Sequence, residues 1–282
     1  MIKISSDSTA DLNNLFIERN IIVTPITVVL GSETYKDGFD IQPEDLYKYV
    51  AETGKMPKTS TISIDEYADF FKKMTSDGSS LIHFSLSSGV SSTCEHAKMA
   101  AEGMDNVYVI DTLSLSSGSG LLALYAADLR DEGKYSAKEI ADMVSARVPF
   151  VQASFVVDTM EYLHKGGRCS GLAAFAGKAL KIKPSLILRE GKIAVGAKYM
   201  GSVDKNLGKY CANIVSQFQS PDKTRVFVTY TKDTPVASVE AAKKAVREQI
   251  NPAELLETTA GSVITAHCGA GTIGILYIND AE

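Results

Sequence analysis

Hydroxyls crowd one short stretch of the chain: Ser85, Ser87, Ser88, Ser91, Ser92 and Thr93, with Gly89 and Val90 among them. They follow the apolar run Leu81-Ile82-His83-Phe84 and precede helix-forming residues over 94–102, so the pattern reads strand, loop, helix. A helix start leaves backbone N–H groups without intrahelical partners and carries partial positive charge. Hydroxyls added there make a neutral anion cradle, suited to a carboxylate or a phosphate. No lysine or arginine lies inside it. One cap needs one hydroxyl, and this stretch offers six.

Other hydroxyl clusters also fall at strand ends. Asp7-Ser8-Thr9 follows a short strand over 2–5 and supplies capping side chains for a helix expected over 10–19. Lys58-Thr59-Ser60-Thr61 follows Pro57; further on, Ser63 and Glu66 form a capping box that opens a helix over 64–74. That accounts for Ser63 and leaves Thr59 unexplained. A strand over 107–110, a polar loop through Ser114 and Gly120, and an apolar helix over 121–130 repeat the pattern. Ser136 and Glu139 form a second capping box. Alternation of this kind predicts a parallel sheet with helices on both faces, and such sheets bind ligands beyond the carboxyl ends of their strands.

The pattern changes after Asp158. A short helix over 159–165 is broken by Gly166-Gly167-Arg168, and Ser170 can cap a small apolar helix bearing Leu172, Phe175 and Leu180. That helix packs in the core or lines an apolar pocket. Two β-forming runs flank Arg189-Glu190-Gly191-Lys192, a hairpin, so pairing there is antiparallel. The fold class is therefore α/β with two domains. Residues 1–157 form an N-terminal parallel-sheet α/β/α domain, and residues 158–282 a C-terminal α/β domain with a mixed, partly antiparallel sheet. Late in the second, His267 precedes Gly269 and Gly271, which allow backbone to approach a ligand closely.

Composition excludes several classes. A net charge of -5 with interspersed signs gives no basic stripe for nucleic acid and no polybasic surface for lipid headgroups. No apolar run approaches membrane-spanning length, and the start of the chain lacks a signal peptide's apolar core, so a cytoplasmic location is expected. Cys94, Cys169, Cys211 and Cys268 are scattered without metal-site spacing, and no metal is expected. The glycine-lysine pattern of phosphate-binding loops is absent, and the one G-x-G-x-x-G spacing, Gly269 to Gly274, runs into a β-forming stretch where a dinucleotide site needs it to leave a strand and open a helix. A serine hydrolase or acyl-transfer enzyme using Ser91 and His267 is the alternative, although G-x-S-x-G does not occur.

In chain order, Asp7-Ser8-Thr9, Lys58-Thr59-Ser60, Leu86-Ser87-Ser88-Gly89-Val90-Ser91, Lys165-Gly166-Gly167-Arg168, Lys181-Ile182-Lys183-Pro184 and Ala266-His267 with Gly269 and Gly271 together resemble the DegV family. The resemblance spans nearly the whole chain. It implies a non-catalytic protein holding one long-chain fatty acid, its carboxylate at the domain interface and its tail buried, with no cofactor. Some relatives present that carboxylate to the catalytic subunit of a fatty acid kinase. Carried over by motif, Thr59, Ser91 and His267 bind the carboxylate, and a protonated His267 would add attraction. Ser60, Thr61, Ser88, Gly89, Ser92, Arg168 and Gly269 are further candidate contacts, and Leu172, Phe175 and Leu180 candidate acyl-chain neighbours. Two positions depart from the family pattern: Thr61-Ile62 stands where relatives have Gln-Pro, and Met200-Gly201 where kinase-partner relatives carry an arginine before a small residue.

Overall fold

Apolar runs of strand length alternating with helices build most of the first half of the chain. A computed structural model describes residues 1–169 and 182–281. The elements run β1 (Ile2–Asp7), α1 (Leu15–Glu18), β2 (Ile21–Thr24), β3 (Thr27–Leu30), β4 (Glu33–Lys36), α2 (Pro43–Thr53), β5 (Lys58–Ser60) and α3 (Ile64–Thr75). They continue through β6 (Ser80–Ser85), α4 (Thr93–Ala100), β7 (Val107–Asp111), α5 (Ser117–Glu132), α6 (Ala137–Arg147), β8 (Val151–Val156) and α7 (Glu161–Gly166). The rest is β9 (Ile182–Arg189), β10 (Lys192–Met200), α8 (Val203–Gln217), β11 (Arg225–Tyr230), α9 (Val236–Gln249), β12 (Glu254–Thr259), α10 (Ser262–Cys268) and β13 (Ile273–Ile278). The expected helix after Ser170, with Leu172, Phe175 and Leu180, lies outside the described residues.

The α/β class is as expected. A parallel sheet of order β2-β1-β6-β7 carries the N-terminal half, and a mixed sheet of order β10-β9-β8-β13-β11-β12 the remainder. In the mixed sheet only β11 and β12 run parallel. Helix α5 is buried along most of its length and packs against both sheets, so the two share one core. Its Gly118 makes that approach possible: a Cβ there would sit 3.3 Å from the Cβ of Ala153 on β8. On the far face of the mixed sheet, α8 and α9 cover a second core around Tyr210, Ile214, Val246 and Tyr277.

Three features differ from the sequence reading. Strand β8, expected in the N-terminal domain, pairs antiparallel with β9 and β13, so the chain changes sheet at Val151. Residues 10–19 are not one helix: Asp11 and Asn13 adopt positive φ (48° and 51°), and only a 3-10 turn and α1 form. That conformation is tolerated mainly by glycine, Asn and Asp and cannot continue an α-helix. Helix α10 and strand β12 were not expected as such.

Pro25 separates β2, in the parallel sheet, from β3, which joins the small antiparallel sheet β4-β3-β5. Without an N–H, proline cannot continue the ladder, and the chain changes sheet there. The hairpin is as expected: Glu190 and Gly191 both take positive φ (48° and 78°), the two-residue turn whose twist matches paired strands. Both capping boxes form as expected, Ser63 with Glu66 and Ser136 with Glu139.

Candidate functional site

Parallel strands β1, β6 and β7 bring Asp7, Ser85 and Asp111 to the same sheet edge. Asp7 is buried and caps no helix. It accepts hydrogen bonds from Tyr67 Oη (2.6 Å), Ser85 Oγ (2.9 Å) and the Leu86 N–H (2.9 Å), with His83 Nε2 at 3.4 Å. Burial alone would raise its pKa, but His83 and these donors outweigh burial and hold the carboxyl below its usual range. Tyr67 Oη also bonds Thr93 Oγ1 (3.1 Å) at the start of α4. Asp7 therefore ties down both ends of the hydroxyl-rich loop.

Most of that loop's hydroxyls serve structure. Ser87 Oγ donates to the Gly191 carbonyl at the hairpin tip (2.7 Å) and accepts from the Gly89 N–H (3.1 Å). A Cβ on Gly89 would lie 2.4 Å from the Gly191 oxygen, so only glycine lets the loop and hairpin meet. The Ser88 N–H donates to Asp111 (3.2 Å). Ser92 stands exposed at the start of α4 and makes no side-chain cap. Ser91 Oγ accepts from the Thr93 N–H (3.2 Å) and borders a cleft.

The opposite wall is α10. Gly269, with φ +74°, ends it; a Cβ there would strike the Tyr162 ring at 2.6 Å. Two residues back, His267 Nε2 bonds Thr59 Oγ1 on β5 at 2.8 Å. Its Nδ1 is buried without a hydrogen-bond partner among the described residues. Burial and then the nearby Arg168 charge lower the imidazole pKa to about 4. His267 thus favours the neutral form near pH 7, because burial and the adjacent positive charge both oppose the imidazolium whose added attraction the resemblance allowed.

This depression has a testable sign. Between the ordinary value of 6.5 and about 4 the folded protein binds fewer protons than the unfolded chain. His267's contribution to stability is complete above that window and lost as pH falls through it. An NMR titration of the unliganded protein should place the His267 midpoint near pH 4. A midpoint above pH 6 would mean a hydrated ring.

The cleft between these walls has about 580 Å³ of atom-free space, its open mouth included. Thr59, Ser60, Thr61, Ser91, Arg168 and His267 supply its polar groups, with Ser60 and Arg168 exposed. Ile26, Leu86, Val90, Leu115, Ile193, Val263, Ile264 and Cys268 make the rest of the surface apolar. Leu115, Ile264 and Cys268 also wall a second apolar cavity with Phe155 and Leu276. The fold thus brings six of the expected polar residues to one cleft. Ser88, Gly89, Ser92 and Gly269 are outside its lining. The apolar walls were not picked out in the sequence, since they come from separate elements and share no spacing. Among the described residues no cluster of His, Cys, Asp and Glu could hold a metal.

A cleft of apolar walls with a few neutral donors at one end is the form expected of a small amphiphile's site. The DegV family, described as uncharacterised, matches residues 1–280. The chain belongs to the DegV family. A DegV domain-containing protein of Streptococcus pyogenes is 32% identical over 284 residues, covering 98% of this chain and 97% of its own. One from Clostridium acetobutylicum is 30% identical, covering 98% of each chain. Among solved structures, a DegV family protein from Thermus thermophilus described for its fatty acid binding superposes with a TM-score of 0.87 at 27% identity, covering 99% of each chain. DegV from Bacillus subtilis, described as a fatty acid binding protein, gives a TM-score of 0.82 at 27% identity over 99% of each chain. The two-sheet arrangement of this DegV protein is therefore that of its relatives.

Proposed function

We propose that this protein binds one long-chain fatty acid, with the carboxylate at Thr59, Ser91 and His267 and the acyl chain along the apolar walls. It acts as a lipid-binding protein without a catalytic step of its own. The observation that carries this reading is the Thr59–His267 pair at the polar end of an otherwise apolar cleft. Neutral donors can hold a carboxylate without a buried counter-charge, and bonds to an ionised acceptor are about twice as strong as neutral ones. Arg168, exposed at the same end, adds positive charge at the mouth. Ser60 and Thr61 are proposed as secondary contacts. The bound lipid replaces any cofactor.

Two features support the orientation. The polar side chains gather at the exposed end, and the apolar walls continue past Leu115, Ile264 and Cys268 into the second cavity. We assign Thr59 and Ser91 to an N-terminal domain and His267 to a C-terminal one, so a bound head group is held from both. Native mass spectrometry of the purified protein, followed by solvent extraction, is the test. One stoichiometric fatty acid is the expected result; an empty protein that also refuses added fatty acid would sink the proposal.

Single substitutions should separate head from tail. Ser91→Ala and His267→Ala are expected to keep the lipid in native spectra while a carboxyl-13C label on it changes shift and broadens. Complete loss of lipid in either folded variant would contradict that division.

The hydrolase reading fits less well: His267 Nε2 is engaged by Thr59, and among the described residues no base accepts from the Ser91 hydroxyl, whose oxygen accepts from the Thr93 N–H. We extend the proposal to a cytoplasmic carrier that presents the exposed carboxylate end to a separate fatty acid kinase subunit. Met200, 67% exposed at the end of β10, stands where kinase-partner relatives carry an arginine, and that departure counts against docking on such a subunit. Among the described residues no helix is long and apolar enough to cross a membrane.

A further inference from the structure

Helix α10 presents His267 at one end and is gripped at the other by two carboxyls from distant parts of the chain. The Gly261 N–H donates to Asp11 Oδ1 (2.8 Å), and the Ser262 N–H donates to Asp37 Oδ1 (2.7 Å). Asp11 and Asp37 are both buried, 3% and 2% exposed. A Cβ on Gly261 would lie 3.3 Å from Asp11 Oδ1 and 3.2 Å from Asp37 Oδ1, so both carboxyls bear on one backbone unit. Ser116 Oγ donates to Asp11 Oδ2 and Ser8 Oγ to Asp37 Oδ2. The same short motif, Asp7 to Asp11, thus anchors the Ser91 loop through its first carboxyl and the His267 helix through its last.

We propose that Asp11 and Asp37 are positioning residues for His267: with one carboxyl protonated and one ionised they lock α10 in place, and loss of the remaining proton loosens the helix and the Thr59–His267 contact. Two ionised carboxylates almost wholly buried against one backbone unit repel each other. The surrounding charges do not relieve them. On α10 the facing titratable group is Cys268, a thiol pushed by burial, and then by Asp11, up to about 12. In the groove outside, Lys232 is paired with Glu44, and Glu18 and Glu257 are acidic. Among the described residues no cationic side chain bonds either carboxyl.

Burial raises Asp11 to about 8, against the bonds from Ser116 and Gly261, and the Asp37 charge adds to the rise. Asp37 is raised as well, by burial against the bonds from Ser8 and Ser262. With the folded value above the ordinary 3.8, the Asp11 contribution is complete below that value and is lost as pH rises through about 8. The pair therefore weakens on the alkaline side, far from His267's own titration near pH 4.

The functional consequence rests on the proposed role of His267 in lipid binding, so the test reads the imidazole in unliganded protein. The His267 Hε1 resonance would be followed by NMR from pH 5 to pH 9.5 in the wild type and in Asp11→Asn. The amide copies the neutral carboxyl, since its oxygen accepts from Gly261 and its NH2 donates to Ser116. The expected result is an inflection near pH 8 in the wild type that disappears in Asp11→Asn, with the fold and the low-pH spectrum retained. A featureless wild-type signal above pH 6, or an inflection that survives in Asp11→Asn, overturns the proposal. Should Asp11→Asn not fold, Ser116→Ala removes a bond that lowers the Asp11 value and must move the inflection to higher pH; an unmoved inflection overturns it equally.

Discussion

Replacing Asp7 by alanine is expected to destabilise the protein by about 3–5 kcal/mol, the usual cost of breaking a buried charged network by removing one member. The substitution strands the Ser85 hydroxyl and the Leu86 N–H, and leaves the Tyr67 hydroxyl with Thr93 alone, in a buried site. Each buried group left unpaired costs roughly 1–3 kcal/mol. Asp7→Asn should cost less but not nothing, because its NH2 must face groups that themselves donate. The pH dependence has a definite sign. The Asp7 carboxyl lies below its ordinary value, so its contribution is complete above about pH 4 and is lost as acid titrates it. Urea unfolding at pH 7 and again at pH 3 measures both effects. A loss below 1 kcal/mol at pH 7 would mean that water enters and replaces the carboxylate.

On the proposed function, stripping the fatty acid is expected to lower the thermal midpoint by on the order of ten degrees. A ligand present at a thousand times its Kd stabilises by about 4 kcal/mol. For a chain of this length each kcal/mol moves the midpoint by roughly 2–4 °C. The tail dominates: fifteen methylenes at ~0.8 kcal/mol each give on the order of 12 kcal/mol before ordering costs. Hydrogen bonds to the ionised head add roughly 1.5–3 kcal/mol apiece. Scanning calorimetry of delipidated and reloaded protein makes the comparison, with a short-chain acid as control. Equal midpoints with and without a long-chain acid would contradict tail burial. Restoration by the short-chain acid alone would move the binding energy to the head group.

The alternation of strands and helices, both capping boxes and the Glu190-Gly191 hairpin could be read directly, because each depends on residues a few positions apart. Thr59, Ser91 and His267 were marked by the family resemblance together with the hydroxyls and glycines around them, and the fold brings all three to one cleft. The broken segment after β1 could not be read directly, since Asp11 and Asn13 take positive φ in a stretch whose local propensities suit a helix. Its conformation answers to Gly261 and Thr259, which meet Asp11 and Asn13 about 250 residues further along.

The same distance in sequence hid α10. Seven residues make a marginal helix by themselves, and its start is held by carboxyls 250 and 225 positions away. Ser87, Ser88 and Gly89 looked like ligand groups yet hold the hairpin and Asp111, partners that only folding brings near. The sequence by itself determined the class of sheet, the helix boundaries set by caps, and which side chains were candidates to meet a carboxylate. Only the tertiary structure decided which hydroxyls face the cleft, which apolar residues wall it, and the burial that pushes the His267 pKa down. Those properties depend on burial and on contacts between elements far apart in the chain, and no local pattern encodes either.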